Sequence, residues 1–600
     1  MTIVAGVVSL SEAPPADMAD RLAAAAGYRP ELHLGLRYDT SQLSTRVLAP
    51  SIGGGRSIQV RTVDGEEVLL IGHPVCTDGS INRLRARLRE SAEWTLENLD
   101  GHWLAVLHHP HSGRVRLRSD RIGAAWLYVA RDGDRYLFCS HFGALVGALS
   151  FQPRLDVDSA LAMLALNYTP DGGTCFREIS ALPHGRFVEL TDSGLSHGPA
   201  PVPNYGDRFA GLDEATKFQR LDDLYDRAMA SWCGPRESEC TVSLSSGYDS
   251  RYALGLLVQR GARPKCITFG QPRSRDVSGS KALCRRLGLK HSVYEIRDSD
   301  WQAWREHVQR LGNVGGFQFS SGWARHWLRE LVAAGPAVLI GYLGDALSGK
   351  HLVRYHGDDW AANWEAWSLD EGRSANWVDS PLLHGRIAQR YRATVRARLD
   401  QVMAQPAQVA FPHQRAMHAD LFGRQRRLVA AQTNIIADAL DPIPFFYTQE
   451  LVEFWANLGY SDLERQRLYR RYAEVRFTAV FPPVSKPGIG RRIWGSGVNA
   501  IGSVAPGLRR RLAPAEIDLV HLLGRHRAAI AVLARRLEPM LEELFDVRKL
   551  IPALERFPTD PVINPMQLQR LTNLMLLLDN AMAPAGAARP SSAAARAAAM

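Results

Sequence analysis

The stretch that most restricts the fold lies near the middle of the chain. Cys240-Thr241-Val242-Ser243-Leu244, apolar and β-branched, runs into the small-residue loop Ser245-Ser246-Gly247-Tyr248-Asp249-Ser250 and then into a helical pattern over 252–259. A second strand candidate at 266–269 and a second helix candidate at 279–287 follow at once. A third strand candidate, 337–340, also ends in a glycine-bearing turn, and a helical stretch over 215–232 leads into the series. Strands alternating with helices predict a parallel α/β sheet. Ligands of such sheets bind beyond the carboxyl ends of the strands, where the serine–glycine loop falls. Small hydroxyl residues and a glycine let backbone N–H groups approach an anion closely, and the helix N-terminus behind them favours negative charge. Asp249 is out of place beside phosphates unless a cation bridges the two, so it is assigned to Mg2+. No G-x-x-x-x-G-K-[ST] run occurs, which excludes a Walker-type phosphate site. Taken alone, the loop also reads as a strand-to-helix turn capped by serines.

The first two hundred residues have a different texture. Short apolar runs at 68–71, 103–108, 115–118 and 126–129 are broken by turns, and Asp132-Gly133-Asp134 has the composition of a hairpin turn. This half reads as β-rich, whereas beyond residue 380 the pattern is mainly helical. Six hundred residues exceed one core and predict two to four domains. With 46% hydrophobic and 22% charged residues the chain reads as a soluble globular protein. No run of eighteen apolar residues predicts a membrane span, and the N-terminus lacks the basic start of a secretory signal. Seven scattered cysteines without a C-x-x-C pair suit a reduced, cytoplasmic chain. The net charge of +10 comes mostly from dispersed arginines and reads as a solvated basic surface; no zinc-finger spacing or ribonucleoprotein aromatic signature indicates nucleic-acid binding. Eight of the fourteen tryptophans fall between Trp301 and Trp377, where packing on a helical insert is the favoured reading and an aromatic substrate pocket the sharper one.

Several separated motifs carry a family resemblance. Ser245-Ser246-Gly247-Tyr248-Asp249-Ser250 resembles the S-G-G-x-D-S pyrophosphate loop of the asparagine synthetase family, with Ser246 in place of the first glycine, a change tolerable if its φ stays negative. The segment from Ile340 to Gly349 resembles that family's G-E-G-A-D-E-L-F-G-G, matching at Gly341, Asp345, Leu347 and Gly349. Tyr342 stands in place of the glutamate, as in the β-lactam and carbapenam synthetases of the family, where tyrosine is implicated in deprotonating the amine. Phe481-Pro482-Pro483-Val484-Ser485-Lys486-Pro487-Gly488 sits where the family carries a lysine that stabilises charge during acyl transfer. Pro444-Phe445 and Leu451-Val452-Glu453-Phe454 echo P-F-L-D…V-E-F, with Tyr447 for the aspartate. The acid and arginine that define the small-substrate site are missing from Leu440-Asp441-Pro442-Ile443-Pro444, which argues against aspartate as substrate. In the first half Leu99-Asp100-Gly101, Asp120-Arg121-Ile122-Gly123, Leu127-Tyr128, Ser140 and Leu182-Pro183-His184-Gly185 follow the glutaminase domain.

The resemblance implies an α/β protein in two parts. Residues 1–205 would form an Ntn-type, glutaminase-like αββα sandwich. Residues 206–580 would form an adenine-nucleotide α-hydrolase (PP-loop) synthetase domain, a parallel sheet with a helical extension, carrying the Trp-rich insert at 351–410. Residues 581–600, rich in alanine, read as a disordered tail. ATP and Mg2+ are the implied cofactors. Leu244, Ser245, Ser246, Gly247, Asp249, Ser250, Gly341 and Asp345 would surround the triphosphate, Thr268, Phe269 and Gly270 would cradle adenosine, and Asp249 and Asp345 would hold the metal. Lys486 would offset charge on the tetrahedral intermediate, its plainer reading being a surface lysine before a Pro-Gly turn. Tyr342 would take the amine proton with an acidic partner, for which Asp379 is one candidate.

A working glutaminase of this family reads M-C-G-I-A-G at its start, and the cysteine is the nucleophile. Here Met1-Thr2-Ile3-Val4-Ala5-Gly6 replaces it, and Gly72-His73-Pro74 replaces the glutamine-binding N-G-E. An inert glutaminase fold is expected, so the amine must come from a second substrate or from the same molecule. The resemblance then implies ATP-dependent amide formation through an acyl-adenylate. The favoured form is macrolactam closure of a precursor peptide, N-terminal amine to an Asp or Glu side chain, as in the lasso peptide branch, with a leader-binding protein and a leader protease as further partners. A β-lactam-type ring closure, asparagine synthesis from ammonia, and an ATP-binding pseudoenzyme are the alternatives.

Overall fold

In the first half both faces of each central strand are buried, so period-two alternation sorts side chains between two cores rather than between core and water. Along the first strand, Ile3, Ala5 and Val7 pack on one side with Ala19, Leu22, Ala144 and Leu145, while Val4 and Val8 face the other way against Leu69, Ile71, Leu104 and Val106. In the facing sheet Val68, Leu70, Trp103 and Ala105 turn outward onto Leu84, Leu88 and Leu96 of two helices. The resulting layers are helix, sheet, sheet, helix, as the αββα expectation required. The structure, a computed structural model, describes residues 3–11, 13–15, 17–26, 32–50, 56–75, 80–295, 301–312, 331, 333–354, 377, 380–404, 409, 411–437, 440–482 and 519–582.

One six-stranded antiparallel sheet runs Ile179–Ala181, Tyr128–Asp132, Arg135–Cys139, Ile3–Ser9, Leu43–Pro50, Leu32–Asp39. The other runs Gly194–His197, Val188–Thr191, Arg114–Ser119, Asp100–His109, Glu67–Val75, Arg56–Arg61. Asp132 pairs with Arg135 across the expected hairpin, and Gly133 takes φ +65° at the first central position of its turn.

The second half holds a five-stranded sheet, all parallel, in the order His291–Glu295, Lys265–Gly270, Cys240–Ser243, Ala337–Leu339, Asp441–Ile443. From Cys240–Ser243 the chain winds outward in one direction through two strands, then returns to lay Ala337–Leu339 on the other side. That reversal opens a crevice at the carboxyl ends of Cys240–Ser243 and Ala337–Leu339. Three of the five strands follow the sequence expectation. The two that do not are the edges: His291–Glu295 is half exposed and lacks a continuous apolar run, and Asp441-Pro442-Ile443 contains a proline, which a strand tolerates only at an edge. Helices Tyr248–Gln259 and Arg275–Leu287 begin earlier than their apolar periodicity suggests, because Gly247 and the side chain of Ser274 cap them.

Beyond residue 380 the described chain is largely helical, as expected. Trp304 and Trp377 are fully buried, and the Trp304 indole N–H donates to Asn573 Oδ1 at 3.1 Å, which is the packing role. Trp323, Trp327, Trp360, Trp364 and Trp367 lie outside the described residues, as do 355–376 of the 351–410 insert and 583–600 of the tail. Among the described residues no helix is long and apolar enough to cross a membrane, and six cysteines are buried and unpaired by disulfides.

Three buried histidines tie stability to pH. Burial pushes His102 and His418 down to about 3 and holds His184 well below the usual imidazole range. As pH falls below about 6.5 the unfolded chain takes up protons that the folded chain refuses, so stability is lost on acidification. Each histidine should cost about 2 kcal/mol between pH 7 and 5. His141, likewise pushed down to about 3 by burial, adds about 2 kcal/mol, while Asp100 and Asp120, raised to about 6 by burial, oppose the loss with about 1 kcal/mol each and Asp249, raised to about 8, with about 3 kcal/mol, which leaves a net loss on acidification. Thermal denaturation should therefore show a lower Tm at pH 5 than at pH 7; a flat or rising Tm over that interval contradicts the assignment.

Candidate functional site

Two turns meet at the crevice. The first, 244–250, continues the strand Cys240–Ser243; Leu244 N–H donates to Ile267 O at 2.8 Å, and its own carbonyl accepts from Thr268 Oγ1 at 2.9 Å. This locks the turn to the end of Lys265–Gly270, where Phe269 stacks on Tyr294. Ser250 Oγ accepts from Ser245 N–H at 2.9 Å and lies 2.8 Å from Ser245 Oγ. Gly247 N–H donates to Ser245 Oγ at 3.1 Å. Ser246 is not among the residues of positive φ, so its Cβ is tolerated; Gly279, which has no side chain, gives it room. The Ser246 N–H donates to Asp276 Oδ1 at 2.7 Å, and the Ser246 hydroxyl donates to the same oxygen. A carboxylate thus occupies two of the loop's donors.

The second turn, 341–345, presses against Asp249. A Cβ at Gly341 would come within 2.4 Å of Asp249 Cβ, and one at Gly344 within 2.8 Å of Asp249 Oδ1. Glycine is therefore obligatory at both positions. Leu343 between them is buried at φ +74°, a strained conformation for a branched side chain. Arg465 and Gln466 are also of positive φ, at +53° and +59°, and Gln466 Nε2 reaches Asp345 Oδ1 at 3.3 Å and Ser348 Oγ at 2.7 Å. Three of the four strained non-glycine residues in the described chain thus flank Asp345; the fourth, Asn167, caps a helix.

The outcome is a facing pair of carboxylates. Burial and the neighbouring Asp345 push Asp249 up to about 8, while the Tyr469 hydroxyl donates to Asp249 Oδ1 at 2.8 Å. The Lys350 ammonium sits on Asp345 Oδ2. Tyr469, Gln466 and Lys350 escape the sequence reading; the first two come from a helix and turn 220 and 121 residues away in the chain, and only the fold brings them here. Among the described residues no group of three or more His, Cys, Asp and Glu could hold a metal alone.

Tyr342 turns away from the carboxylates. Its ring is buried, its hydroxyl donates to Gln425 O at 3.2 Å, and burial with the nearby charges of Asp120 and Asp420 holds the phenol well above its ordinary range. Lys486 and Asp379 lie outside the described residues. Phe481, five positions before Lys486, stacks on Tyr248 of the first turn with ring centroids 5.0 Å apart, and the Arg251 guanidinium lies over both rings at 4.8 and 4.5 Å.

The corresponding region of the first half is taken up by contacts with the second. His73, in the position of the glutamine-binding motif, places Nδ1 3.0 Å from Asp441 Oδ1. Asp100 accepts from Gln449 N–H at 3.1 Å, and Gly101, at φ +125°, packs on the backbone of His73 and Pro74. Asp120 gathers the N–H groups of Gly123, Ala124 and Ala125 and the hydroxyl of Tyr447, which in turn accepts from Ile122 N–H at 2.8 Å. Thr2 lies outside the described residues.

Comparison with known proteins bears on the first half. Residues 71–199 match the glutamine amidotransferase domain family, about a fifth of the chain. No curated protein matches the chain. Among solved structures the chain is similar to the allosteric regulatory enzyme of purine biosynthesis, at 12% identity over 50% of this chain and 81% of that one, with a TM-score of 0.24. It is also similar to glutamine phosphoribosylpyrophosphate amidotransferase from B. subtilis complexed with ADP and GMP, at 11% identity over 48% of this chain and 65% of that one, with a TM-score of 0.23. The architecture rests on the strand order and packing above.

If Asp276 competes with a bound anion for Ser246, its removal should favour the anion. Asp276→Ala should tighten the Kd for Mg-ATP about tenfold, the value of one charge-assisted hydrogen bond, in equilibrium titration. An unchanged or weaker Kd would show that the carboxylate supports the loop instead.

Proposed function

We propose that this protein forms an amide bond at the expense of ATP, through an acyl-adenylate, and that the amide closes a macrolactam in a precursor peptide. The observation that carries the ATP reading is the convergence of Asp249 and Asp345 at the crevice where the strand order reverses. Two carboxylates held this close resist ionising together, and a divalent cation relieves that. With only two protein ligands, the rest of its coordination would come from phosphate and water, the habit of Mg2+ in nucleotide sites. The pair therefore fits the metal, and when bound it supplies charge neutralisation for the phosphates.

The chain's own residues divide the remaining work. Backbone and hydroxyl donors of 245–250 receive the phosphates once Asp276 yields Ser246, and Thr268, Phe269 and Gly270 border the adjoining space for adenosine. The substrate carboxylate attacks the α-phosphorus and pyrophosphate leaves. The amine then attacks the acyl carbon, the C–O bond to AMP breaks, and the peptide has lost one water. Lys486, by the family resemblance, would offset charge on the developing oxyanion.

The peptide reading rests on the source of the amine. Within the matched glutamine amidotransferase domain, His73 stands where the resemblance expects the glutamine-binding motif and pairs with Asp441, which supports a first half that supplies no ammonia. The leader-binding protein and leader protease implied by the resemblance belong to this same reading.

Formation of AMP and pyrophosphate from Mg-ATP should be stimulated by linear peptides bearing a free N-terminus and an internal Asp or Glu, with a product lighter by one water. Glutamine, or aspartate with ammonia, should release neither pyrophosphate nor glutamate. Pyrophosphate with aspartate alone would return the protein to asparagine synthesis.

A further inference from the structure

The proposed reaction needs a group to take the proton from the attacking amine, and a second side-chain pair, joined through Lys350 to Asp345, has the form of one. His351, in the turn Lys350–Arg354, places Nδ1 2.7 Å from Oδ2 of Asp420, the first residue of the π-helix Asp420–Val429. Asp420 is buried, yet His351, Arg424 and Gln425 around it hold its carboxyl below the usual range. An ionised carboxylate only accepts hydrogen bonds, so Nδ1 donates to Asp420 and Nε2 is the ring atom left to exchange a proton with substrate. A carboxylate thereby fixes both the tautomer and the orientation of an imidazole, the arrangement used where histidine serves as a base.

The pair is joined to both parts of the site. Lys350, adjacent to His351 in the chain, holds Asp345. Gln425, which reaches both oxygens of Asp420 at 3.4 Å, offers its carbonyl to the Tyr342 hydroxyl. π-Helical segments are rare and recur at functional sites. Tyr342 itself is engaged as a donor and its phenol is held neutral by burial, which leaves it a positioning residue.

We infer that His351 is the general base of amide formation, oriented by Asp420; the inference rests on the amide-forming reading of the site. The neutral amine attacks the acyl carbon, its N–H proton passes to Nε2, the C–O bond to AMP breaks, and the imidazolium, stabilised by Asp420, returns the proton to solvent.

The full-length protein is tested with Mg-ATP and linear peptides bearing a free N-terminus and an internal Asp or Glu, with and without hydroxylamine. Hydroxylamine, uncharged and strongly nucleophilic at neutral pH, captures the activated carboxyl as a hydroxamate without needing the base. His351→Asn keeps a donor facing Asp420 and removes the lone pair. It should retain hydroxamate formation within about threefold and lose cyclisation by about a hundredfold or more. His351→Ala should regain cyclisation when imidazole is added. Parallel loss of both activities in His351→Asn, or undiminished cyclisation, overturns the assignment. A wild-type protein that forms neither hydroxamate nor cyclic product with any peptide overturns the amide-forming reading, and the base with it.

Discussion

The second half depends on the contact between the 341–345 turn and Asp249. The turn lies so close that Gly341 and Gly344 have no space for a Cβ, and Leu343 is forced into a left-handed conformation. The strain falls at Leu343, in the turn and not within the strand Ala337–Leu339. Its effect is to set Asp345 against Asp249, which costs electrostatic energy in the absence of a cation. Strain and like-charge repulsion concentrated at the crevice of a parallel sheet are the physical marks of a site built for a ligand of opposite sign.

The first half is joined to the second through polar side chains of its own sheets and turns. Asp100 and Asp120, both familiar from the glutaminase pattern, spend their hydrogen-bonding capacity on turns and on Gln449 and Tyr447 of the second half. His73 does likewise with Asp441. Further contacts, from Trp126 Nε1 to Arg426 O at 2.8 Å and from Arg426 to Leu182 O at 2.6 Å, extend the seam. The sandwich braces the helical segment 412–436 and the edge strand Asp441–Ile443, and these in turn carry Asp420 and Gln425 into the site.

Much of this was legible in the sequence, and the limits have physical causes. The alternation of apolar strand and helix around 240–340 predicted the parallel sheet, because buried central strands leave continuous apolar runs. Its edge strands were not legible, one being half exposed and the other interrupted by Pro442. Asp249 could be found because it lies in the small-residue loop that follows an apolar strand, and Asp345 because 340–349 resembles a family motif. Tyr469, Gln466 and the His351–Asp420 pair could not, because their positions follow from tertiary packing across long stretches of chain. Lys350 was adjacent to a motif yet unremarked, since its significance lies in the carboxylate it meets. The proton-transfer role of Tyr342 is implied by resemblance alone, and the phenol's surroundings, Gln425 with the charges of Asp120, Asp420 and Arg426, are assembled only by the fold.

As proposed, the carboxylate pair of Asp249 and Asp345 holds a nucleotide through a divalent cation. Equilibrium titration of ATP into the full-length protein, with magnesium and with chelator, addresses it without reference to any peptide. Binding that requires magnesium in the wild type and disappears in both Asp249→Asn and Asp345→Asn, with folding intact, is the predicted result. Binding that is equally tight without magnesium, or that survives both substitutions, would contradict it.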